Sequence, residues 1–176
     1  MLLASSLATV GAGAMSLAVF TDSKASTGTW TAGTIILGVS PATAFNPPSG
    51  IMPGDSGAAI IAVANSGTGQ LRYAMTTAAT NTDTKGLAAQ MTLSITTGPI
   101  VSGACTGTSL YSGSLAVAAL GSTAQGAQAG DRSVNSGATD NLCFQWGLPL
   151  ASGNGFQTAA TTATFTFTAE QTANNP

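Results

Sequence analysis

The chain has 176 residues and a mass of 17.1 kDa, enough for one domain, or for one domain with a processed leader. Ala, Thr, Gly and Ser supply 32, 27, 22 and 18 residues, while Leu, Ile, Val and Phe together supply 34. With 4 basic residues, 6 acidic residues and no His, the chain has no phosphate-tracking cationic face, no polybasic lipid anchor, and neither the commonest general base nor the commonest zinc ligand. Nucleic-acid binding and Ser-His or Cys-His catalysis are therefore excluded. A net charge of −2 is also too small to hold the chain open by repulsion. Only 6% of residues are charged, against about 25% in ordinary soluble domains. Such a surface suits an extracellular protein that buries much of itself in an assembly.

Residues 1–20 read MLLASSLATVGAGAMSLAVF and carry no charge. Ser5, Ser6, Thr9 and Ser16 interrupt the apolar run, so a signal-peptide core fits better than a membrane-spanning helix. Small-residue cleavage sites occur at Ala12-Gly13-Ala14 and Ser16-Leu17-Ala18. Cleavage after Ala18 is expected, with Ala14 as second choice. No Lys or Arg precedes the run, and retention of residues 1–18 as an apolar strand or helix stands as the alternative.

Beyond Phe20 the pattern is strand, turn, strand. Thr29 to Val39 is β-branched and apolar, and breaks at Ser40-Pro41. Phe45 to Gly57 has three prolines and three glycines and reads as a loop. Ala58 to Val63 is a short apolar run ending at the turn signal Asn65-Ser66-Gly67. Leu71 to Thr77 alternates, with Leu71, Tyr73 and Met75 on one face and Arg72 and Ala74 on the other. The best helix candidate, Asn81 to Gln90, is short. Leu87 to Thr97 alternates Met91, Leu93 and Ile95 with Thr92, Ser94 and Thr96. Gly113 to Gly130 reads as a strand at Leu115 to Leu120 and then a loop, and Gly130-Asp131-Arg132 closes a turn before another strand. Asn141 to Leu150 sets Leu142, Phe144 and Trp146 on one face and Cys143 on the other. Thr161 to Ala169 sets Phe165 and Phe167 opposite threonines. The expectation is an all-β fold, an antiparallel sandwich of about seven or eight strands preceded by an apolar leader.

Cys105 and Cys143 lie 38 positions apart, and neither belongs to a C-x-x-C pair. Two thiols without His make a poor metal site. An even count in an exported chain favours one disulfide, and two buried free thiols in a cytosolic protein are the alternative. Asp55, in Pro53-Gly54-Asp55-Ser56-Gly57, sits in a string like those around some protease serines. Without His such a serine lacks its base, so a turn with Asp55 capping backbone N–H groups is expected. The six acids, Asp22, Asp55, Asp83, Asp131, Asp140 and Glu170, are scattered, and no metal or calcium site can be read from their spacing. No Walker A and no G-x-G-x-x-G after a strand is present, so no cofactor is expected. Trp30 and Trp146 fit buried sandwich positions better than a sugar platform.

Several strings combine in a recognisable order. They are Phe20-Thr21-Asp22-Ser23 after the Ala/Gly leader, Ala32-Gly33-Thr34-Ile35-Ile36-Leu37, Met52-Pro53-Gly54-Asp55-Ser56 before a strand, and Asn65-Ser66-Gly67 before Leu71-Arg72-Tyr73. In the second half come Gly130-Asp131-Arg132, Leu142-Cys143-Phe144, Leu148-Pro149-Leu150, Gly153-Asn154 with Phe156-Gln157, and Ala169-Glu170-Gln171-Thr172. Over nearly its whole length the chain resembles the TasA/camelysin family of exported filament proteins, in an actinobacterial-like subset. The resemblance implies a jelly-roll-like β-sandwich, secretion, and assembly of identical subunits into extracellular fibres of a biofilm matrix, with other matrix components as further partners. It also carries a reported metalloprotease activity, from which this chain departs because it has no His and no clustered acids.

In related filaments each subunit donates its mature N-terminal strand to the next. Carried over here, the donor would be Val19, Phe20, Thr21, Asp22, Ser23, Lys24, Ala25, Ser26, Thr27, Gly28 and Thr29, followed by the sandwich at residues 30–176. This segment follows the expected cleavage site and contains no Pro, so every N–H can enter a ladder. By bulk, Phe20 is the expected anchor, and Trp30 is expected to open the subunit's own first strand. A monomeric secreted or surface-attached adhesin of the same fold, its groove filled by its own N-terminus, is the competing expectation.

Overall fold

The computed structural model describes residues 24–175. The chain divides into two compact units, Met1–Thr31 and Ala32–Pro176. In the first unit the described residues form neither helix nor strand, and Trp30 is exposed. The expected leader, the cleavage site expected after Ala18 and Val19, Phe20, Thr21, Asp22 and Ser23 of the expected donor segment lie outside the described residues.

The second unit contains, in chain order, β1 (Leu37–Ser40), β2 (Ser56–Asn65), β3 (Leu71–Ala79), α1 (Leu87–Gln90), β4 (Thr92–Thr96), β5 (Ile100–Val101), β6 (Ala104–Cys105), β7 (Ser109–Ser114), β8 (Ala119–Leu120), β9 (Arg132–Val134), β10 (Thr139–Gly147) and β11 (Ala163–Gln171). Short 3-10 turns occupy Leu115–Val117 and Asn154–Phe156. Every strand pairing is antiparallel. One sheet has the order β1-β2-β10-β4-β7. The other has the order β11-β3-β8, with β9 also on β3, so β8 and β9 lie along one edge of that strand. Strands β5 and β6 form a separate hairpin. The fold is therefore the expected antiparallel β-sandwich.

Period-2 alternation explains its interior. Ile61 and Val63 of β2, Leu93 and Ile95 of β4, and Leu142, Phe144 and Trp146 of β10 share one buried core with Leu71, Tyr73 and Met75 of β3. Phe144 meets Phe165 edge-on with centroids 5.2 Å apart, and Tyr73 lies 5.9 Å from Phe167. Burying each large apolar side chain contributes roughly 1.5–3 kcal/mol. Among the described residues, Asn65, Arg72 and Thr96 are the buried polar side chains, and Asn65 is the most deeply buried of them. Its Nδ2 donates to Gly69 O at 2.8 Å and Val134 O at 3.0 Å, and its Oδ1 accepts from Gly67 N–H at 3.0 Å.

Four local expectations need correction. The strand expected over Thr29 to Val39 shrinks to β1, so Trp30 does not open it. Upstream of β1 the chain clasps the β2–β3 turn instead: Thr34 O accepts from Thr68 N–H and Gly69 N–H, and Ile36 O accepts from Ser66 N–H. A Cβ on Gly67 would stand 2.4 Å from Thr34 O, so only glycine permits this approach. The helix expected over Asn81 to Gln90 is reduced to α1, because Asn81 Oδ1 and Asp83 Oδ1 take the N–H groups of Gly86 and Lys85 into turns. The strand expected from Leu87 consequently starts only at Thr92. The strand expected over Leu115 to Leu120 is a 3-10 turn followed by β8.

Candidate assembly site

Strand β11 is the outer strand of its sheet, and among the described residues it pairs with β3 alone. Thr80 N–H donates to Thr162 O, and Thr172 N–H donates to Gln70 O. Even-numbered residues therefore face the β3 ladder. By alternation, Ala163, Phe165, Phe167 and Ala169 turn their N–H and C=O groups to the open edge.

That edge borders a groove of about 870 Å³ between the two sheets. Residues 161–167 form one wall. Val39, at the end of β1, and the strap of Pro41, Ala42, Thr43, Ala44, Phe45 and Pro47 form the other. Ile61, Leu87, Met91, Leu115 and Trp146 line it from the core. Among the described residues, no charged side chain lines the groove. Phe45 reaches across to Phe165, centroids 6.3 Å apart, yet Phe45, Ile51, Phe165 and Phe167 remain only partly buried. An unpaired row of N–H and C=O groups beside a half-exposed apolar interior is a template for one more strand.

The charges of the sandwich are used internally, and Asp83 stands at the groove's end, its Oδ2 accepting from Ala160 N–H at 2.8 Å. Arg132 Nε and Nη2 clamp Asp140 at 2.6 and 2.9 Å, and Tyr73 OH donates to the same carboxylate at 2.7 Å. Burial pushes the Asp140 carboxyl up, but the hydrogen bonds from Arg132 and Tyr73 outweigh it and hold the group below its usual range. Burial and that same carboxylate raise the Tyr73 phenol far above its ordinary value. Arg72, almost wholly buried, donates from Nε to Glu170 at 2.6 Å and from Nη2 to Asn175 O. The Arg72 hydrogen bond lowers the Glu170 carboxyl. Lys85 Nζ bonds Gln157 O and Thr158 Oγ1. Asp131 caps the N–H groups of Ser122 and Gln128. Among the described residues, no three His, Cys, Asp or Glu side chains come together as a metal site.

The residues singled out in the sequence fall as follows. Cys105 and Cys143 form a disulfide. Asp55 turns the chain, its Oδ2 accepting from Met52 N–H at 2.7 Å. Trp146 is buried, whereas Trp30 is exposed. Of the donor segment, Lys24, Ala25, Ser26, Thr27, Gly28 and Thr29 are exposed and belong to no strand. The strap from Pro41 to Phe45 and the open edge of β11 are not legible in the sequence. The signal for β11 was present: Phe165 and Phe167 alternate with threonines, as in a half-buried strand, but alternation does not say which strand ends a sheet. The sequence matches no protein-family model and no curated protein.

Proposed function

We propose that the protein is a structural subunit of an extracellular filament, in a biofilm matrix or a surface fibre. It assembles head-to-tail when the segment from Val19 to Thr29 of one copy adds to the β11 edge of the next. The observation that carries this reading is the open edge of β11 above an uncharged apolar groove. A ladder of about seven residues supplies several backbone hydrogen bonds, each worth roughly 0.5–1.5 kcal/mol net. Ordering the free segment offsets part of that gain. A contact of this kind joins two different surfaces, does not close on itself, and propagates as a fibre. The disulfide fits an oxidising compartment, in line with export. The absence of His and the scattered acids support a structural rather than a hydrolytic role. Accordingly, the purified protein should leave casein intact, and chelator-sensitive cleavage would refute that part of the reading.

The deciding experiment is negative-stain microscopy of secreted material from the full chain and from a truncated chain in which residues 1–18 are joined directly to Thr29. Fibres are expected from the first only. Unchanged fibres from the truncated chain would overturn donor-strand assembly. Monomers from the full chain, with the groove filled by its own N-terminus, would favour the adhesin reading.

A further inference from the structure

We infer that Phe45 plugs the groove of the single subunit, and that the strap from Pro41 to Pro47 must swing aside before the strand of a second copy can pair with β11. This rests on the assembly reading above and adds a gate to it. Phe165 has neighbours on three flanks. Within its own sheet, β3 sets Thr77 opposite it. From the facing sheet, Phe144 meets it edge-on at 5.2 Å. On the flank toward the open edge stands Phe45, which reaches across the groove from the strap, with ring centroids 6.3 Å apart and planes at 72°. A strand added to β11 would run about 4.7–4.9 Å away. Its inward residue opposite Phe165 would hold its Cβ about 4.5–5.5 Å from that of Phe165. The Phe45 ring takes the space of that side chain, so the ring and an added strand exclude each other.

The strap is held in place by side chains alone. Pro41, Pro47 and Pro48 have no N–H to donate. Among the described residues, no backbone group from Pro41 to Ile51 hydrogen-bonds another part of the chain. Of this stretch Ala44, Phe45 and Ile51 pack against the core, each only partly buried. Moving the strap therefore breaks apolar contacts and no ladder, the mark of a segment that opens below the cost of global unfolding. The β11 edge offers an incoming strand a row of backbone groups in exchange for one ring contact.

The test follows sedimentable polymer over time for the full chain and for its Phe45→Leu, Phe45→Ala and Asn65→Ala variants, at matched concentration. An edge-on ring pair is worth about a twofold to tenfold shift in an equilibrium. Phe45→Ala is therefore expected to shorten the half-time of assembly by about that factor, with Phe45→Leu between it and the parent. Asn65 does not line the groove, so Asn65→Ala, which loosens the sandwich elsewhere, is not expected to hasten assembly. A cooperative urea transition shows that each variant folds, and if Phe45→Ala lacks one, Phe45→Leu carries the comparison. If the Phe45 variants assemble no faster than the parent, the ring is not a plug, while donor-strand assembly stands. If Asn65→Ala hastens assembly as much as Phe45→Ala, the cause is a loosened fold and the plug is wrong. If no chain forms polymer, parent included, the assembly reading falls and the gate falls with it.

Discussion

Cys105 is bonded to Cys143, and the bond fastens the β5–β6 hairpin to the outer face of the five-stranded sheet. Cys143 alternates with Leu142 and Phe144, which point into the core, so its side chain leaves the sheet on the far side. It is nevertheless fully buried. The second attachment is the neighbouring Gln145, whose Oε1 accepts from Cys105 N–H at 2.9 Å.

Intact protein alkylated without reductant should therefore show no labelled Cys. In the chain-entropy view, closing a loop of 38 residues is worth roughly 3–4 kcal/mol, so Cys105→Ala with Cys143→Ala should lower the urea midpoint by a corresponding amount. Two labelled thiols in the intact protein, or an unchanged midpoint in the double variant, would contradict this.

Asn65→Ala tests the buried polar hub. The side chain ties the β2–β3 turn to the end of β9 through three hydrogen bonds. Its backbone N–H donates to Ala138 O, and its C=O accepts from Gly137 N–H. Truncation strands Gly67 N–H and the carbonyls of Gly69 and Val134. The expected loss is roughly 1–3 kcal/mol of unfolding free energy, read by urea denaturation. Water filling the space would show as a loss well below that range.

The sandwich was legible because burial imposes period 2 on the strands that make it. Leu71-Tyr73-Met75, Leu93-Ile95 and Leu142-Phe144-Trp146 each announce their inward face. Strand β7 carried no such signal. Its residues, SLYSGS, run at the rim of the sheet, where packing asks little of the side chains. The upstream apolar run failed for another reason. Ile35 and Ile36 have the propensity of a strand, but the backbone beside them is taken by the 66–69 turn. The groove could not be read at all, because it exists only where β11, residues 41–47 and α1, distant in the chain, converge.

Acid should weaken the sandwich. The folded carboxyls of Asp140 and Glu170 are held below their ordinary range by Arg132, Tyr73 and Arg72. Asp83 is likewise lowered, by backbone hydrogen bonds from Lys85 and Ala160. Groups depressed on folding contribute stability above their unfolded value of about 4, and that stability is lost as pH falls through the folded values. Urea midpoints should thus be level near neutrality and drop below about pH 4. Asp140→Asn should lower the neutral midpoint and flatten the acid limb. An acid limb identical to that of the parent would show that the Arg132 clamp contributes nothing to it.

Ala163→Pro separates the fold from the assembly. Proline removes one backbone N–H, and in a sheet it is tolerated where that N–H faces away from the ladder. The alternation fixed by Thr162 and Thr172 turns the Ala163 N–H to the open edge, so the β3 pairing keeps all its bonds. Thr162, the residue before the new proline, lies outside the strand and carries the extended bias that proline imposes. The side chain faces the groove, where the pyrrolidine ring also narrows the path of an incoming strand. The disulfide should still form, and unfolding free energy should stay within about 1 kcal/mol of the parent. Polymer should be lost or sharply reduced in sedimentation. Thr164→Pro is the contrasting variant. Its N–H points into the β3 ladder, so it removes a ladder hydrogen bond and should destabilise the sandwich itself by about 1–3 kcal/mol. If Ala163→Pro polymerises like the parent, the β11 edge is not the acceptor. If it unfolds like Thr164→Pro, the two faces of the strand have been assigned the wrong way round.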